Sequence, residues 1–244
     1  MKQQKHLLIT NNTINENKLY YVYPILIWLA LLPTIIIFLF CFQLFSILVN
    51  VVVIFCFLPI SLVLYYTLFI LLLLLFAKVT LIIINLIHKP KEGIFERVSR
   101  DKDYYFFILR RNLKNFILEI YNHYPLPWAK ILALKILNIK VANNTGILDS
   151  FIDSDFVEIG KNTILGEGSV IMSSMIIGDY LLLKRVILHE NVTIGAFSVI
   201  APGTIVERGA ILGIGSYTVI NQRLEKNYIY YGRPAKKQKK IEDF

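Results

Sequence analysis

The side chains that could do chemistry lie in the second half of the chain, where His189 is followed directly by Glu190. Imidazole titrates near neutral pH and is the side chain most often used as a general base, and a carboxylate can orient it. The sequence therefore makes His189 a candidate base, with Glu190 or Asp179 as the orienting carboxylate. The alternative is that His189 is an exposed and inert histidine.

The other three histidines and Ser174 are weaker candidates for a catalytic role. His6 lies near the N-terminus, His88 follows a long apolar block, and His123 lies in a Tyr-Asn-His-Tyr-Pro segment. Ser174 could act as a nucleophile only beside an activating partner, and the sequence shows none next to it. The sequence has no spacing typical of a metal site, a phosphate-binding glycine loop or a catalytic triad, so we expect no metal.

A six-residue period indicates how these residues are positioned. An aliphatic residue recurs at every sixth place, and the count resumes after an irregular insert, at Ile159, Leu165, Ile171, Ile177, Leu188, Ile194, Ile200, Val206 and Leu212. A small or modest residue follows four places later, at Thr163, Ser169, Val192, Ser198, Thr204, Ala210 and Ser216. This period fits neither a helix nor an alternating strand. It predicts coils of three short faces, which stack to bury the aliphatic residues in a narrow prism.

The repeat predicts a left-handed parallel β-helix over residues 139–226. Its first coil is expected to be incomplete and broken by Asp149, Asp153 and Asp155. Residues 179–186 disturb the period and are expected to leave the prism as a loop. The regular coils are expected to end near Tyr217, and residues 227–244 are expected to form a basic C-terminal tail.

The N-terminal third is too apolar for an ordinary soluble domain. Residues 19–77 contain no Asp, Glu, Lys or Arg, which is enough for two membrane spans of about 20 residues each. We predict a transmembrane helical hairpin over residues 19–88, with its turn near Val49 and Asn50, after a flexible tail of residues 1–18. The chain is then an α + β membrane protein, with helices before the β-helix.

Basic residues on both flanks of the apolar block predict its orientation. Lys2, Lys5 and Lys18 precede the block, and many Lys and Arg residues follow it. Positive charge is retained on the cytoplasmic side of membranes. We therefore expect two spans, with both termini and the β-helix cytoplasmic. Three shorter spans are the alternative, and they would put the two basic flanks on opposite sides.

Residues 89–138 carry two basic amphipathic patterns, at 103–121 and 127–137, which predict helices. Such helices directly after a membrane span are expected to lie on the lipid bilayer surface, held by apolar burial and anionic lipid. The alternative is that they pack as a collar between the membrane and the β-helix. Because the basic residues stay close to the membrane, we expect no nucleic-acid partner.

The last coils and the tail resemble the hexapeptide-repeat (left-handed β-helix) acyltransferase superfamily. Its members commonly close with a Gly-x-Pro-Ala-Lys segment, and this chain has Gly232-Arg233-Pro234-Ala235-Lys236. The corner Gly213-Ile214-Gly215-Ser216 resembles the Gly-Ala-Gly-Ser turn that precedes that segment. The hairpin, the Lys-Glu-Gly-Ile-Phe connector at 91–95 and the segment at 153–160 look like a membrane-anchored branch. That branch is similar to C-terminal modules of polylysine-type non-ribosomal peptide synthetases.

This resemblance implies a homotrimer that binds acetyl-CoA or another acyl-CoA as co-substrate between neighbouring prisms. The residues implied in binding it are Ala201, Gly213, Gly215, Ser216, Arg233, Pro234, Ala235 and Lys236. Related membrane-anchored proteins often have Ser-His just before the insert, whereas this chain has Ser173-Ser174. The expected function is a membrane-anchored O- or N-acyltransferase acting on a membrane-associated or envelope acceptor. The alternative is a catalytically inactive trimeric scaffold or a partner subunit of a biosynthetic complex.

Overall fold

The computed structural model describes residues 21–48, 50–98, 100–153 and 155–241. The expected flexible tail at 1–18, with His6 and the three lysines before the apolar block, lies outside the described residues. Within these described residues, four helices precede the coils: α1 (Val22–Leu48), α2 (Val51–Ile87), α3 (Lys102–Asn122) and α4 (Pro127–Ile136).

Helices α1 and α2 form an antiparallel hairpin, in which Phe38 packs edge-on against Tyr65 with ring centroids 5.0 Å apart. Both helices are long enough and apolar enough to cross a membrane, by length and composition alone. Pro33 and Pro59 lie inside the two helices without ending them. Buried side chains of α2 lie in its second half, where it contacts other elements: Ile70, Leu73, Leu74, Ala77, Leu81 and Ile84.

The second half of the chain is a parallel β-helix of short strands in three sheets. One sheet has the order β15-β13-β10-β5-β2, the second β17-β16-β14-β11-β6-β3 and the third β12-β7-β4. The strands of the first sheet are β2 (Lys140–Val141), β5 (Val157–Ile159), β10 (Val186–Leu188), β13 (Ile205–Val206) and β15 (Arg223–Leu224). Those of the second are β3 (Gly146–Ile147), β6 (Ile164–Leu165), β11 (Thr193–Ile194), β14 (Ile211–Leu212), β16 (Tyr228–Gly232) and β17 (Ala235–Lys240). The third has β4 (Phe151–Ile152), β7 (Val170–Ile171) and β12 (Val199–Ile200).

The interior of the prism is the one that the six-residue period predicts. Eight of the nine aliphatic positions are buried: Ile159, Leu165, Ile171, Leu188, Ile194, Ile200, Val206 and Leu212. All seven small positions are buried as well: Thr163, Ser169, Val192, Ser198, Thr204, Ala210 and Ser216. The exception is Ile177, which is exposed because it lies on a hairpin outside the prism.

That hairpin consists of β8 (Ser174–Ile177) and β9 (Tyr180–Leu183). It begins at Ser174, before the segment 179–186 that the sequence assigned to a loop. Strand β9 also pairs antiparallel with β1 (Gly93–Glu96), the connector that follows the apolar helices. The insert therefore ties the β-helix to the segment next to the apolar hairpin.

The C-terminal segment is more regular than the sequence suggested. Strand β15 pairs parallel with β13, and β16 pairs parallel with β14, so the coils continue past Tyr217. The expected basic tail is not free over its described part, because β17 turns back and pairs antiparallel with β16. Its lysines lie on that edge strand.

The first coil is complete, although the sequence predicted that aspartates would break it. Asp153 and Asp155 are buried in it and have hydrogen-bond partners. Asp155 accepts hydrogen bonds from Arg110 Nε at 3.1 Å and from Lys114 Nζ at 2.7 Å. Burial alone would raise the pKa of Asp155, but Lys114 and Arg110 outweigh it and hold that pKa below its ordinary value.

Helices α3 and α4 together form a collar between the apolar hairpin and the first coil. Tyr121 donates a hydrogen bond to the Ile70 carbonyl at 3.3 Å, and Tyr124 and Thr67 share a hydroxyl hydrogen bond of 2.9 Å. The expectation that the basic residues of α3 face lipid is wrong for Arg110 and Lys114, because both are buried against Asp155. The structure thus favours the collar alternative for this helix.

Candidate functional site

The turns of successive coils stack into edges of the prism, and one edge is rich in glycine. It consists of residues 148–150, 166–169, 195–198 and 213–216, and we call it the glycine edge. Backbone hydrogen bonds connect its turns: Gly168 N–H donates to Asp149, Phe197 N–H to Glu167 and Gly215 N–H to Ala196, at 2.6, 2.9 and 2.8 Å. The edge is therefore one continuous strip.

Glycine is required on this edge because the coils approach each other closely there. A Cβ on Gly166 would lie 2.5 Å from the Ala196 nitrogen, and one on Gly195 would lie 2.5 Å from the Ile214 nitrogen. Gly215 has φ +63°, a conformation that side chains disfavour. Without side chains at these positions, the backbone can approach a ligand.

The C-terminal tail folds onto the last turn of the glycine edge. Gly232 N–H donates to the Ser216 hydroxyl at 3.0 Å, and Arg233 Nε donates to the Gly215 carbonyl at 2.6 Å. Ala235 N–H donates to the Tyr217 carbonyl at 2.7 Å, and Pro234 lies between Arg233 and Ala235. The corner and the tail, which are far apart in the sequence, thus form one surface.

Two other residues implied in acyl-CoA binding lie apart from these contacts. Ala201 is buried on a different edge, and its N–H donates to the Thr218 hydroxyl at 2.8 Å. Lys236 is exposed on β17, opposite Tyr231 on β16. The neighbouring Lys237 is occupied, since its ammonium contacts Glu225 at 2.5 Å and lies over the Tyr228 ring.

His189 lies on another edge of the prism, the histidine edge, made of residues 160–163, 189–192 and 207–210. Its side chain is 46 % exposed, and its Nε2 is 3.9 Å from Glu207 Oε2. Glu190, the expected partner, is exposed, and Asp179 lies on the β8–β9 turn. Glu207 was not among the carboxylates expected from the sequence, although it follows His189 by 18 residues, which are three hexapeptides or one full coil.

His189 and the tail contacts are not brought together within one chain, because they lie on different edges. A shallow groove of about 450 Å³ adjoins His189 and is lined by Lys140, Glu158 and Gly160, among others.

Ser173 and Ser174, at the start of the insert, are held by aspartates of the first coil. Ser174 donates through its backbone N–H to Asp153 Oδ2 at 2.9 Å, and its hydroxyl donates to the same oxygen. The Ser173 hydroxyl donates to the Asp155 carbonyl. Asp153 is thus a partner of Ser174 that the sequence did not indicate, because 21 residues separate the two.

The other described histidines lie in the helical part. His88 Nε2 is 3.1 Å from Asp103 Oδ1, and its ring stacks on Phe106. His123 is exposed, and its Nδ1 is 2.9 Å from the Glu119 carbonyl. Within the described part of the chain, no group of three or more His, Cys, Asp or Glu side chains could hold a metal ion.

Comparison with known proteins gives structural neighbours but no assigned family. No protein-family model matches the chain, and no curated protein matches it. The solved structures that match include several acetyltransferases. One, a hexapeptide-repeat-containing acetyltransferase from Vibrio cholerae, is 13 % identical, with 55 % of this chain and 92 % of that chain covered and a TM-score of 0.47.

Two further neighbours are similar to the same degree. A maltose O-acetyltransferase from Clostridium difficile 630 is 16 % identical, with 55 % of this chain and 87 % of that chain covered and a TM-score of 0.45. A galactoside acetyltransferase in complex with coenzyme A is 16 % identical, with 56 % of this chain and 83 % of that chain covered and a TM-score of 0.45. Similarity of this degree assigns no activity to the chain, so its function has to follow from its own residues.

Proposed function

We propose that the chain is a membrane-anchored acyltransferase that uses acyl-CoA and acts on a membrane-associated or envelope acceptor. The observation that carries this proposal is the contact between the tail and the glycine edge. Hydrogen bonds from Gly232 and Arg233 to Ser216 and Gly215 join a cationic tail to a strip of half-buried glycine turns. A long, flexible donor with phosphates at one end matches such a surface.

In this proposal the pantetheine arm lies along the glycine edge, and the phosphates lie at the tail. Arg233 uses its Nε on Gly215, which leaves its other guanidinium N–H groups for phosphate oxygens. Lys236 is exposed on β17 and adds a second cation. Ala201 is the weakest member of the expected set, since its N–H is already bonded to Thr218.

The reaction is an acyl transfer from sulfur to oxygen or nitrogen. A hydroxyl or amine of the acceptor attacks the carbonyl carbon of the thioester, and the carbon–sulfur bond breaks. The new bond is an ester or an amide, and the proton of the acceptor ends on the departing thiolate. His189 of a neighbouring subunit in a homotrimer is the proposed base, with Glu207 beside it at 3.9 Å.

Membrane anchoring is part of the same proposal. A helix of 37 residues, the length of α2, extends about 55 Å, whereas the hydrocarbon core is about 30 Å thick. The first half of α2 can therefore cross the bilayer while its second half packs against the collar. The basic residues after α2 favour the cytoplasmic side for the β-helix, with both termini there as well.

A catalytically inactive trimeric scaffold is the second candidate. It is favoured by the separation of His189 from the glycine edge and by the bonding of Ser173 and Ser174 to the aspartates. A scaffold would use the coils for assembly only and would bind no donor.

Binding of acetyl-CoA separates the two candidates. We expect saturable binding by calorimetry to the full chain in detergent, and about tenfold weaker binding for Lys236→Ala, which loses a charged hydrogen bond. Lys91→Ala, in the connector before β1, is the matched control, since it removes an exposed lysine away from both edges. Failure of acetyl-CoA and longer acyl-CoAs to bind the folded protein would rule out the transferase and leave the scaffold.

His189→Ala tests the base. Since His189 is half-exposed, the substitution is expected to leave the fold and the assembly intact. Thiol release from acetyl-CoA, with n-octyl β-D-glucoside and n-octylamine as hydroxyl and amine acceptors, should fall about 100-fold or more, the usual contribution of a general base. Glu207→Gln should reduce the rate more than Glu190→Gln does. Unchanged thiol release in His189→Ala would remove His189 from the mechanism.

A further inference from the structure

A cleft lies between the collar and the first coil. It has two adjoining lobes, of about 330 and 640 Å³, which share Glu119, Asn122, Lys130 and Asp149 as lining residues. Glu119 and Asn122 come from α3, Lys130 comes from α4, and Asp149 lies in the first turn of the glycine edge. Side chains from three separate elements therefore converge on one cleft.

Lys130 is the central polar group of the cleft. Its ammonium donates to the carbonyls of Leu148 and Ser150, at 3.3 Å each, and these residues flank Asp149. Two of its three N–H donors are used in this way, and among the described residues the third is left for a bound group. Burial lowers the pKa of Lys130, whereas Asp149 and Glu119 act in the opposite direction.

The cleft is continuous with the glycine edge. The Asp149 carbonyl accepts a hydrogen bond from Gly168 N–H at 2.6 Å, which joins the first turn of the edge to the second. Parallel strands are about 4.8 Å apart, so the turn at 195–198 lies about 10 Å from the turn at 148–150. The tail lies at one end of the edge and the cleft at the other.

The cleft also lies at the level of the bilayer surface if the hairpin is inserted. Tyr124, which lines it, is hydrogen-bonded to Thr67 of α2 at 2.9 Å. Thr67 follows Asn50 at the hairpin turn by 17 residues, or about 25 Å of helix, close to the thickness of a hydrocarbon core of about 30 Å. A head group anchored in the membrane can reach this level without leaving the bilayer.

We propose that this cleft binds the head group of a membrane-anchored acceptor and directs it along the glycine edge toward acyl-CoA bound from the tail end. The inference rests on the proposed function, because the donor must occupy that edge. Two carboxylates and one lysine give the cleft an excess of negative charge, which disfavours a phosphate in it. Together with the amide of Asn122, they suit an uncharged head group that is rich in hydroxyl or amide groups.

The test is protection of Lys130 from reductive methylation, read by mass spectrometry on the full chain in nanodiscs. The probe is n-octyl β-D-glucoside below its micelle-forming concentration. At saturating probe we expect methylation of Lys130 to slow about tenfold. Lys135, on the same helix but bonded to Asn143 outside the cleft, should be unaffected. Octyl phosphocholine, with the same alkyl chain and a phosphate in its head group, should give no protection at Lys130.

Equilibrium dialysis of the labelled glucoside gives a second readout. Lys130→Met should bind it about tenfold more weakly than Lys135→Met does, since one charged hydrogen bond is lost. Calorimetric affinity for acetyl-CoA should be the same in both variants. Equal protection by both amphiphiles, or no protection by the glucoside while acetyl-CoA still binds, would overturn the acceptor cleft and leave the proposed function standing. Absence of acetyl-CoA binding would overturn the function instead.

Discussion

Replacement of Asp155 by alanine is expected to destabilise the protein by about 3–5 kcal/mol, the usual effect of removing one partner of a buried ion pair. The side chains of Arg110 and Lys114 are 2 % and 4 % exposed, and both contact the Asp155 carboxylate. Without it, two cations would remain buried beside the first coil. Because α3 carries both cations and Asp155 belongs to the β-helix, the change also weakens the junction between collar and prism.

Equilibrium unfolding in urea of the detergent-solubilised chain, followed by tryptophan fluorescence, measures this loss. Glu158→Ala is the matched control, because its partners Lys140 and Arg185 are more exposed and such pairs contribute about 1 kcal/mol or less. A loss for Asp155→Ala no larger than that of the control would contradict the assignment. Replacing the triad with apolar residues, as Arg110→Met, Lys114→Met and Asp155→Leu, should recover most of the stability.

Unfolding at low pH gives an independent measurement of the contribution of Asp155 to stability. The folded pKa of Asp155 lies below its ordinary value, because Lys114 and Arg110 outweigh the effect of burial. Its contribution to stability is therefore complete above the unfolded pKa and is lost as pH falls through the lower, folded pKa. The free energy of unfolding of the native chain should fall more steeply with decreasing pH in that acidic range. The Asp155→Asn variant should not show this steeper fall.

The interior of the prism could be predicted from the sequence because each coil repeats one local rule. An aliphatic residue such as Ile194 and a small one such as Ser198 are buried wherever the six-residue count places them. The two apolar helices follow just as directly from composition. In both cases the pattern is local in the sequence, so the prediction does not require knowledge of the element against which the segment packs.

What could not be predicted depends on contacts between distant segments. The pairing of Asp155 with Arg110 spans 45 residues and exists only because α3 docks on the first coil. For the same reason a basic amphipathic pattern was assigned to lipid, although two of its cations are buried in protein. Glu207 could have been predicted, since one full coil separates it from His189 and the six-residue period places the two residues on the same edge.

The positions of the glycine edge and the histidine edge determine whether one chain alone could carry out the proposed reaction. The tail, the glycine edge and the Lys130 cleft form one line on a single chain, and in the proposed function the donor enters from one end and the acceptor from the other. His189 lies on a different edge. Catalysis by His189 therefore requires a neighbouring copy, so activity and assembly should be lost together when copies separate. A scaffold has no such dependence.

Gly195→Ala is expected to destabilise the β-helix by about 3 kcal/mol, at the upper end of the usual range for overpacking. The added Cβ would lie 2.5 Å from the backbone nitrogen of Ile214, in the next coil. Backbone atoms cannot rotate away as a side chain can, so relief requires β11 to separate from β14, and the turn at 213–216 moves with it. Acetyl-CoA affinity should therefore fall together with the midpoint of unfolding in urea.

Gly146→Ala provides the matched control for this stacking argument. Its Cβ would meet only the Ile164 side chain, at 3.7 Å, an ordinary contact, and its φ is not in the left-handed region. The alanine also loses less conformational entropy on folding, so this variant should be as stable as the native chain or more stable by about 0.4–1 kcal/mol. Opposite signs for two identical substitutions would show that close stacking of the coils, rather than the amount of glycine, holds the edge together. Equal effects would mean that the coils at Gly195 are not in the register described here.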